Sequence, residues 1–236
     1  MRVLLRSELL KVRTIRTHLW LALATLGLVL IASISVSAST NAITTPADDR
    51  AVAQIAAIAL VFSLIVGIIV MAGEVTHGTM TQTLLAGPVR ERVLIAKALV
   101  AALLGIGLAL LAELLVLAIT VPGASLNFHN ARLVFLGILV GAPLAAALGV
   151  GLGAVVKSQG SGIGASLVWL LVGENIVRLI SDSGSRYSPG SAFAALASGQ
   201  RTAHDLLGMG AGAAASVLWT AVFICGGLLV FLGRDV

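Results

Sequence analysis

The sequence carries little charge. Only 11% of its 236 residues are Asp, Glu, Lys or Arg, while 58% are hydrophobic and the mean hydropathy is +1.08. A soluble domain of this length needs a polar surface, and this composition does not supply one. The composition therefore excludes a soluble globular protein and predicts an integral membrane protein.

Residues with catalytic or redox chemistry are also scarce. The single cysteine, Cys225, excludes an internal disulfide. The sequence contains no GxxxxGK[ST] phosphate loop, no Ser/His/Asp set and no metal-ligand cluster, and its longest polar stretch is 181–207. The histidines all lie at or outside the predicted membrane boundaries, which excludes a haem held by two facing intramembrane histidines: His18, His77, His129 and His204. We expect no enzyme activity and no cofactor in this chain.

What the sequence has is long apolar segments. A spanning helix needs about 20 apolar residues, and six segments reach that length: 19–37, 52–73, 93–121, 132–156, 162–180 and 207–233. Alternating β-barrel patterning is absent. The sequence therefore predicts an all-α integral membrane fold with six transmembrane helices.

The basic residues indicate the orientation of these spans. A net charge of +5 would suggest nucleic-acid binding in a soluble protein, but here the bases cluster at the ends of apolar segments, so we expect no nucleic-acid partner. With the N-terminus inside, ten lie on the cytosolic side: Arg2, Arg6, Lys11, Arg13, Arg16, Arg90, Arg92, Lys97, Lys157 and Arg234. Five lie outside: Arg50, Arg132, Arg178, Arg186 and Arg201. This bias predicts that both termini are cytosolic.

The leader before the first span is amphipathic. Leu5, Leu9 and Val12 share one helical face, while Arg6 and Lys11 lie off it, so the leader can lie in the headgroup plane. An unstructured basic flank is one alternative. A cleaved signal peptide is another, because "SVSAST" (35–40) supplies small residues after a short apolar stretch, although the charged leader is long for that role.

Glu113, Glu174 and Asn175 fall inside predicted spans and are candidates for a translocation path. Charged groups are costly at this depth and often functional there. Glu113 has no cation one helical turn away, and either packing against a neighbouring polar group or facing a water-filled path would explain it. Glu174 and Asn175 are the other two, and Arg178 at i+4 favours a local ion pair for Glu174.

The stretch "GEVTHGTMTQTLLAGPVRERVLIAK" (73–97) interrupts the apolar segments with charge and threonine. Glu74 ends the second span and Gly78 breaks its helix. Thr79 or Thr81 can cap a short helix over about 79–86, and "GP" at 87–88 ends it. Pro88 suits the first turn of the next span, where Arg90 and Lys97 share one face. The stretch therefore predicts a short helix displayed on the cytosolic side.

These residues resemble a known family. The pattern E-x-x-x-G-T (Glu74, Gly78, Thr79), then G-P-x-R with Pro88 and Arg90, and a later Lys97 is similar to the loop after the second span in ABC-2 type permeases, the membrane subunits of ABC exporters. The leader, "SPGSAFAAL" (188–196) and the terminal "LGRDV" (232–236) agree with this resemblance.

The resemblance implies an architecture like that of type V ABC exporters. It implies a single ABC-2 transmembrane domain over 1–236, with an N-terminal elbow helix (1–17), a coupling helix (about 79–86) and an extracellular re-entrant segment (181–206). The apolar side chains of the coupling helix would dock on an ATPase, with Glu74, Arg90 and Lys97 fixing its height: Met80, Leu84 and Leu85.

The same resemblance implies partners and a location. Two copies of a separate ATPase would bind ATP and Mg²⁺, and two permease copies would form a homodimer in a bacterial inner membrane. The substrate would be an antibiotic, a peptide or a lipid-like molecule carried outward, and antibiotic resistance is one expected role. The alternatives are a self-sufficient secondary carrier or channel using Glu113 and Glu174, and a structural membrane subunit.

Overall fold

The computed structural model describes residues 5, 7–11, 16–38, 45–86, 89–156, 158–200 and 206–233. Within these ranges the chain is helical and contains no strand. Six of the described helices are long and apolar enough to cross a membrane, and we number them spans 1 to 6: Arg16–Ser37, Pro46–Thr76, Arg90–Gly123, Phe128–Val155, Gln159–Ile180 and Met209–Leu232. The predicted all-α membrane architecture with six candidate spans is confirmed.

Spans 2, 4 and 5 begin a few residues before the predicted boundary, because polar caps extend these helices beyond their apolar part. Thr45 caps span 2 in a reciprocal capping box with Asp48, and Pro46 occupies the first turn. The side chain of Asn127 accepts the His129 N–H at the start of span 4, and Ser158 accepts the Ser161 N–H at the start of span 5. Hydropathy finds the apolar part of each helix and misses these polar first turns.

Spans 2 and 4 form the centre of the bundle. In their most apolar windows 67% and 61% of the residues are buried, compared with 6% in span 5. Glycine permits the close contact, since a Cβ on Gly67 would overlap the Ala146 carbonyl and one on Gly149 would overlap the Leu64 carbonyl. In contrast, a Cβ on Gly160 or Gly164 would meet nothing within 4 Å. Gly67 and Gly149 therefore serve helix packing within one chain.

Two spans contain a break in regular α-helix. Span 2 passes through a 3₁₀ turn at Gln54–Ala57, and span 5 contains a π-helical turn at Trp169–Gly173. Wide π turns occur often at functional sites. Gly173 lies directly against the Trp169 indole, where a Cβ would come within 2.8 Å of the ring.

Side-chain contacts join the span ends at both faces of the bundle. At the face where span 1 begins, here the N-terminal face, the Gln159 N–H donates to Thr76 Oγ1 at 3.0 Å. At the opposite face Asp49 accepts the Asn127 N–H at 2.8 Å and the Asn130 side-chain amide at 2.7 Å. These contacts fix where spans 2, 4 and 5 begin and end relative to one another.

A further helix, Pro189–Ala197, lies between spans 5 and 6 in sequence and packs between spans 4 and 6 in space. Glycines on both spans make room, because a Cβ on Gly137 would overlap the Leu196 carbonyl and one on Gly212 would lie 2.8 Å from the Ala195 Cβ. Ala192, Ala195 and Leu196 are buried as a result. This 189–197 helix is thereby fixed against the bundle.

Candidate functional site

Span 2 ends in a Schellman motif at Gly78. Gly78 has a φ of 67°, which glycine adopts at no steric cost. The Thr79 N–H donates to the Glu74 carbonyl at 2.9 Å and the Gly78 N–H to the Val75 carbonyl at 3.3 Å. A short helix, Met80–Ala86, follows at once and lies at the N-terminal face. We call it the 80–86 helix.

A buried ionic cluster supports this helix from below. The Lys97 ammonium is fully buried and lies 2.6 Å from Glu74 Oε1 and 3.0 Å from Glu8 Oε2. It also donates to the Val70 carbonyl at 3.3 Å. Lys97 therefore joins span 3 to the end of span 2 and to residues 7–11 of the leader, which are helical in the structure.

Lys11 and Thr83 complete the cluster. Lys11 Nζ lies 2.6 Å from Glu74 Oε1 and 2.8 Å from Glu8 Oε1, and it donates to Thr83 Oγ1 at 3.1 Å. Thr83, on the 80–86 helix, donates in turn to Glu74 Oε2 at 2.9 Å. Two carboxylates and two ammonium groups balance, so the cluster of Glu8, Lys11, Glu74, Thr83 and Lys97 carries no net charge in the bundle. We call it the ionic cluster.

The electrostatics of Lys11 reflect this pairing. Burial by itself would lower the pKa of Lys11, but hydrogen bonds and attraction to Glu74 and Glu8 outweigh burial and raise the pKa above its ordinary value of 10.5. Lys11 consequently stays charged at neutral pH, and Glu8 and Glu74 keep their counter-ion.

Arg90 anchors the start of span 3 to the end of span 6. Its guanidinium donates to the carbonyls of Phe231 and Leu232 at 2.9 and 3.0 Å, and lies over the Phe231 ring at 5.8 Å from the centroid. A cation at the last carbonyls of a helix also complements the helix dipole. Arg90 thus ties span 6 to the same face as the ionic cluster.

Met80 does not lie on the exposed face of the 80–86 helix, contrary to the prediction from the sequence. We predicted that Met80 would dock on a partner, but its side chain is 4% exposed and packs into the apolar core with Leu94 and Phe231. The physical reason is that the turn at Gly78 directs the first residue of the helix inward. Leu85 is 81% exposed, as a docking residue needs to be. Pro88 and the side chain of Leu84 lie outside the described residues.

Sequence reasoning brought out Glu74 and Lys97 but missed Glu8, Lys11 and Thr83 as members of the site. The available signal was modest. Glu8 is the only acidic residue before Asp48, and Lys11 follows it at i+3 in a leader otherwise rich in bases. A lone acid in such a leader indicates a specific partner.

Glu113 is buried in the C-terminal half of span 3. Its side chain is 8% exposed, and among the described residues one carboxylate oxygen, Oε1, is buried without a hydrogen-bond partner. A buried, unsatisfied carboxylate oxygen is costly. Packing against lipid does not account for this position, since the side chain points away from the exposed face of the span.

Glu174 binds a different partner from the predicted one. We expected an ion pair with Arg178, but the carboxylate accepts the backbone N–H of Gly190 and lies 3.5 Å from Ser191 Oγ. No ion pair between Glu174 and Arg178 occurs in the described part of the chain. At the N-terminus of the 189–197 helix, the carboxylate accepts a hydrogen bond from a backbone N–H that has no acceptor within the helix. Its negative charge also complements the helix dipole, and both effects favour Gly190 as the partner of Glu174.

Asn175 is exposed, and its side-chain amide donates to the Leu171 carbonyl at 2.7 Å within the π-helical turn. It therefore satisfies a carbonyl of the widened turn. In the described part of the chain, Asn175 and Glu174 have their hydrogen-bond partners at Leu171, Gly190 and Ser191, and neither hydrogen-bonds to Glu113.

Comparison of the sequence with protein-family models and with curated proteins gives no match. The resemblance to ABC-2 type permeases therefore rests on the quoted motifs, and the function is argued from the site itself. Among the described residues no three His, Cys, Asp or Glu side chains are grouped to hold a metal ion.

Proposed function

We propose that this chain is the membrane permease subunit of an ATP-driven exporter, driven by a separate ATPase that binds at the N-terminal face. The observation that carries the proposal is the ionic cluster under the 80–86 helix. It joins the leader, span 2, the 80–86 helix and span 3 through buried charges, so a push on the exposed side of that helix reaches three other elements.

The construction of this face supports a role in force transmission. Buried ion pairs bring little net stability compared with apolar packing, and they demand defined geometry. A simple connection between two antiparallel helices needs only a few residues. A helix with Thr83 tied inward and Leu85 directed outward is instead suited to contact a partner.

The remaining parts of the proposal follow from the resemblance to ABC-2 type permeases. The leader is the elbow helix, the 80–86 helix is the coupling helix, and 181–206 is the extracellular re-entrant segment of a single ABC-2 domain over 1–236. Both termini are cytosolic, and the membrane is the bacterial inner membrane. Two ATPase copies bind ATP and Mg²⁺, and the exported substrate is an antibiotic, a peptide or a lipid-like molecule.

A homodimer of permeases is part of this proposal. Spans 5 and 1 have only 6% and 17% of their apolar windows buried within the chain. Their free faces are available to lipid or to a second copy, and the twelve-span assembly would enclose the substrate path.

A proton-coupled carrier that works without an ATPase is the second candidate. Glu113 favours it, because a buried carboxylate with an unpartnered oxygen can serve as a titrating group in a membrane path. The ionic cluster is the argument against it, since a carrier needs no supported helix at the N-terminal face.

The decisive experiment co-expresses the chain with the Walker-type ATPase that we expect in the neighbouring open reading frame. Leu85→Asp should insert normally and lose co-purification with the ATPase, because an unpaired charge in a desolvated contact costs several kcal/mol. Tyr187→Asp is the matched control, since Tyr187 is 62% exposed at the opposite face. Full binding and full transport-coupled hydrolysis by the Leu85→Asp variant would remove the proposal.

A further inference from the structure

An apolar cavity of about 520 Å³ lies between span 5 and the rest of the bundle. Its walls come from spans 2, 4, 5 and 6 and from the 189–197 helix, and none of the described side chains that line it is charged. Ligand pockets in proteins measure roughly 300–1,000 Å³ and are mainly apolar. In size and chemistry the cavity fits the hydrocarbon part of a small ligand.

Span 5 lines the cavity with one of its faces. Four residues on one face of this span line the cavity, at the spacing of one helical face: Ala165, Ser166, Trp169 and Leu170. One turn earlier on the same face, a Cβ on Gly162 would lie 2.9 Å from Ile68 Cγ2, so this face meets span 2 at its start and the cavity beyond it.

Two of the walls are held rigidly. The Trp219 indole N–H donates to the Tyr187 carbonyl at 2.7 Å, and its ring lies 6.1 Å from the Phe223 ring. Gly190, on another wall, is held by the Glu174 carboxylate. Of the ten aromatic residues in the chain, four line the cavity: Trp169, Phe193, Trp219 and Phe223. A preformed aromatic wall lowers the entropic cost of binding a flexible chain.

We propose that the cavity binds one acyl chain of a bilayer phospholipid as a structural ligand, which fills the space between span 5 and the bundle. The occupant follows from the chemistry of the walls. The described side chains that line the cavity are uncharged and mainly apolar, so they match hydrocarbon rather than a charged headgroup. Apolar atoms that fill the cavity gain dispersion contacts with these walls. Within the hydrophobic thickness of a membrane, acyl chains are the apolar molecules present in excess. The proposal does not depend on an ATPase.

Native mass spectrometry of the full chain tests the proposal. The protein is reconstituted in nanodiscs of phosphatidylcholine with either ordinary or fully deuterated acyl chains. One retained phospholipid per chain is expected, with a mass that follows the lipid supplied. A retained molecule whose mass stays the same in both nanodiscs would be a different ligand, and no retained molecule would mean no site. Either result overturns the proposal.

Substitutions that fill the cavity, compared with a control substitution outside it, test where the lipid binds. Ala165→Phe and Ala194→Phe each place a ring in the cavity from an exposed wall position and should abolish lipid retention. Ala214→Phe adds the same ring at an exposed site of span 6 outside the cavity and should retain the lipid. Retention that is equal in all three variants would place the lipid elsewhere on the protein and overturn the proposal.

Tryptophan fluorescence provides a second measurement for variants that insert poorly. The chain has three tryptophans, so Trp20→Phe with Trp169→Phe leaves only the cavity residue Trp219. Phosphatidylcholine brominated on the acyl chain should quench this emission strongly, and adding Ala194→Phe should weaken the quenching. Absence of quenching before the cavity is filled contradicts the proposal.

Discussion

Lys97 and Glu74 form a buried ion pair, with Lys97 Nζ 2.6 Å from Glu74 Oε1 and the lysine side chain fully shielded from solvent. Glu8 and Lys11 form a second pair at 2.8 Å in the same cluster. Because each pair is neutral by itself, either can be removed as a unit without leaving an isolated charge. Single and paired substitutions should therefore have different consequences.

Lys97→Met should destabilise the protein by about 3–5 kcal/mol, because it leaves an excess carboxylate buried. The double variant Lys97→Met with Glu74→Gln should recover most of this loss, since Glu8 and Lys11 then remain paired. Thermal unfolding in detergent, followed by size-exclusion chromatography, measures the difference. Arg92→Met is the control, because Arg92 is an exposed cation on the same helix. A double variant less stable than Lys97→Met would contradict the pairwise account.

Glu113→Gln should leave folding intact and change transport or substrate-stimulated ATP hydrolysis. The reason is that the substitution removes a buried charge at nearly constant volume, so packing is preserved while any contact that needs the carboxylate is lost. Transport in proteoliposomes and thermal unfolding are measured side by side. If transport and hydrolysis both match the unsubstituted protein, Glu113 has a packing role and does not belong to the path.

Glu174→Ala should destabilise the protein by about 1–3 kcal/mol, because it leaves the part-buried Gly190 N–H without its acceptor. Glu174→Gln keeps an acceptor oxygen and should cost less. Arg178→Ala is the control, and we expect it to be neutral because Glu174 does not pair with it. If Arg178→Ala lost as much stability as Glu174→Ala, the result would instead support an ion pair between Glu174 and Arg178. Complete loss of transport in a stable Glu174→Gln variant would favour the carrier.

The topology can be checked with reporter fusions. A reporter after Val236 should be cytosolic, and a reporter fused to the chain truncated at Ser125 should be external, because the basic residues favour the N-terminal side as cytosolic. Truncation avoids inserting a domain into the tight turn, where Ser125 has a φ of 59°. Two reporters on the same side would rule out six spans in this order.

The sequence predicted that the helix of span 2 ends at Gly78, and the structure confirms this position. The signal was local, since a glycine at the end of an apolar run followed by threonine matches the geometry of a Schellman turn. The position of Met80 was not predictable in the same way. Which side of a seven-residue helix faces inward depends on the turn before it and on the core that receives it.

The sequence by itself determined the class of the protein and the number and approximate position of its apolar spans. Hydropathy and length are properties of contiguous residues, and a bilayer demands long apolar helices whatever their neighbours. The tertiary structure alone decided which polar groups meet. Lys97, in span 3, reaches Glu8 of the leader, 89 positions away in sequence, and Glu174, in span 5, binds Gly190 of the 189–197 helix rather than Arg178. No local pattern encodes that placement, since it depends on contacts among residues far apart in the chain.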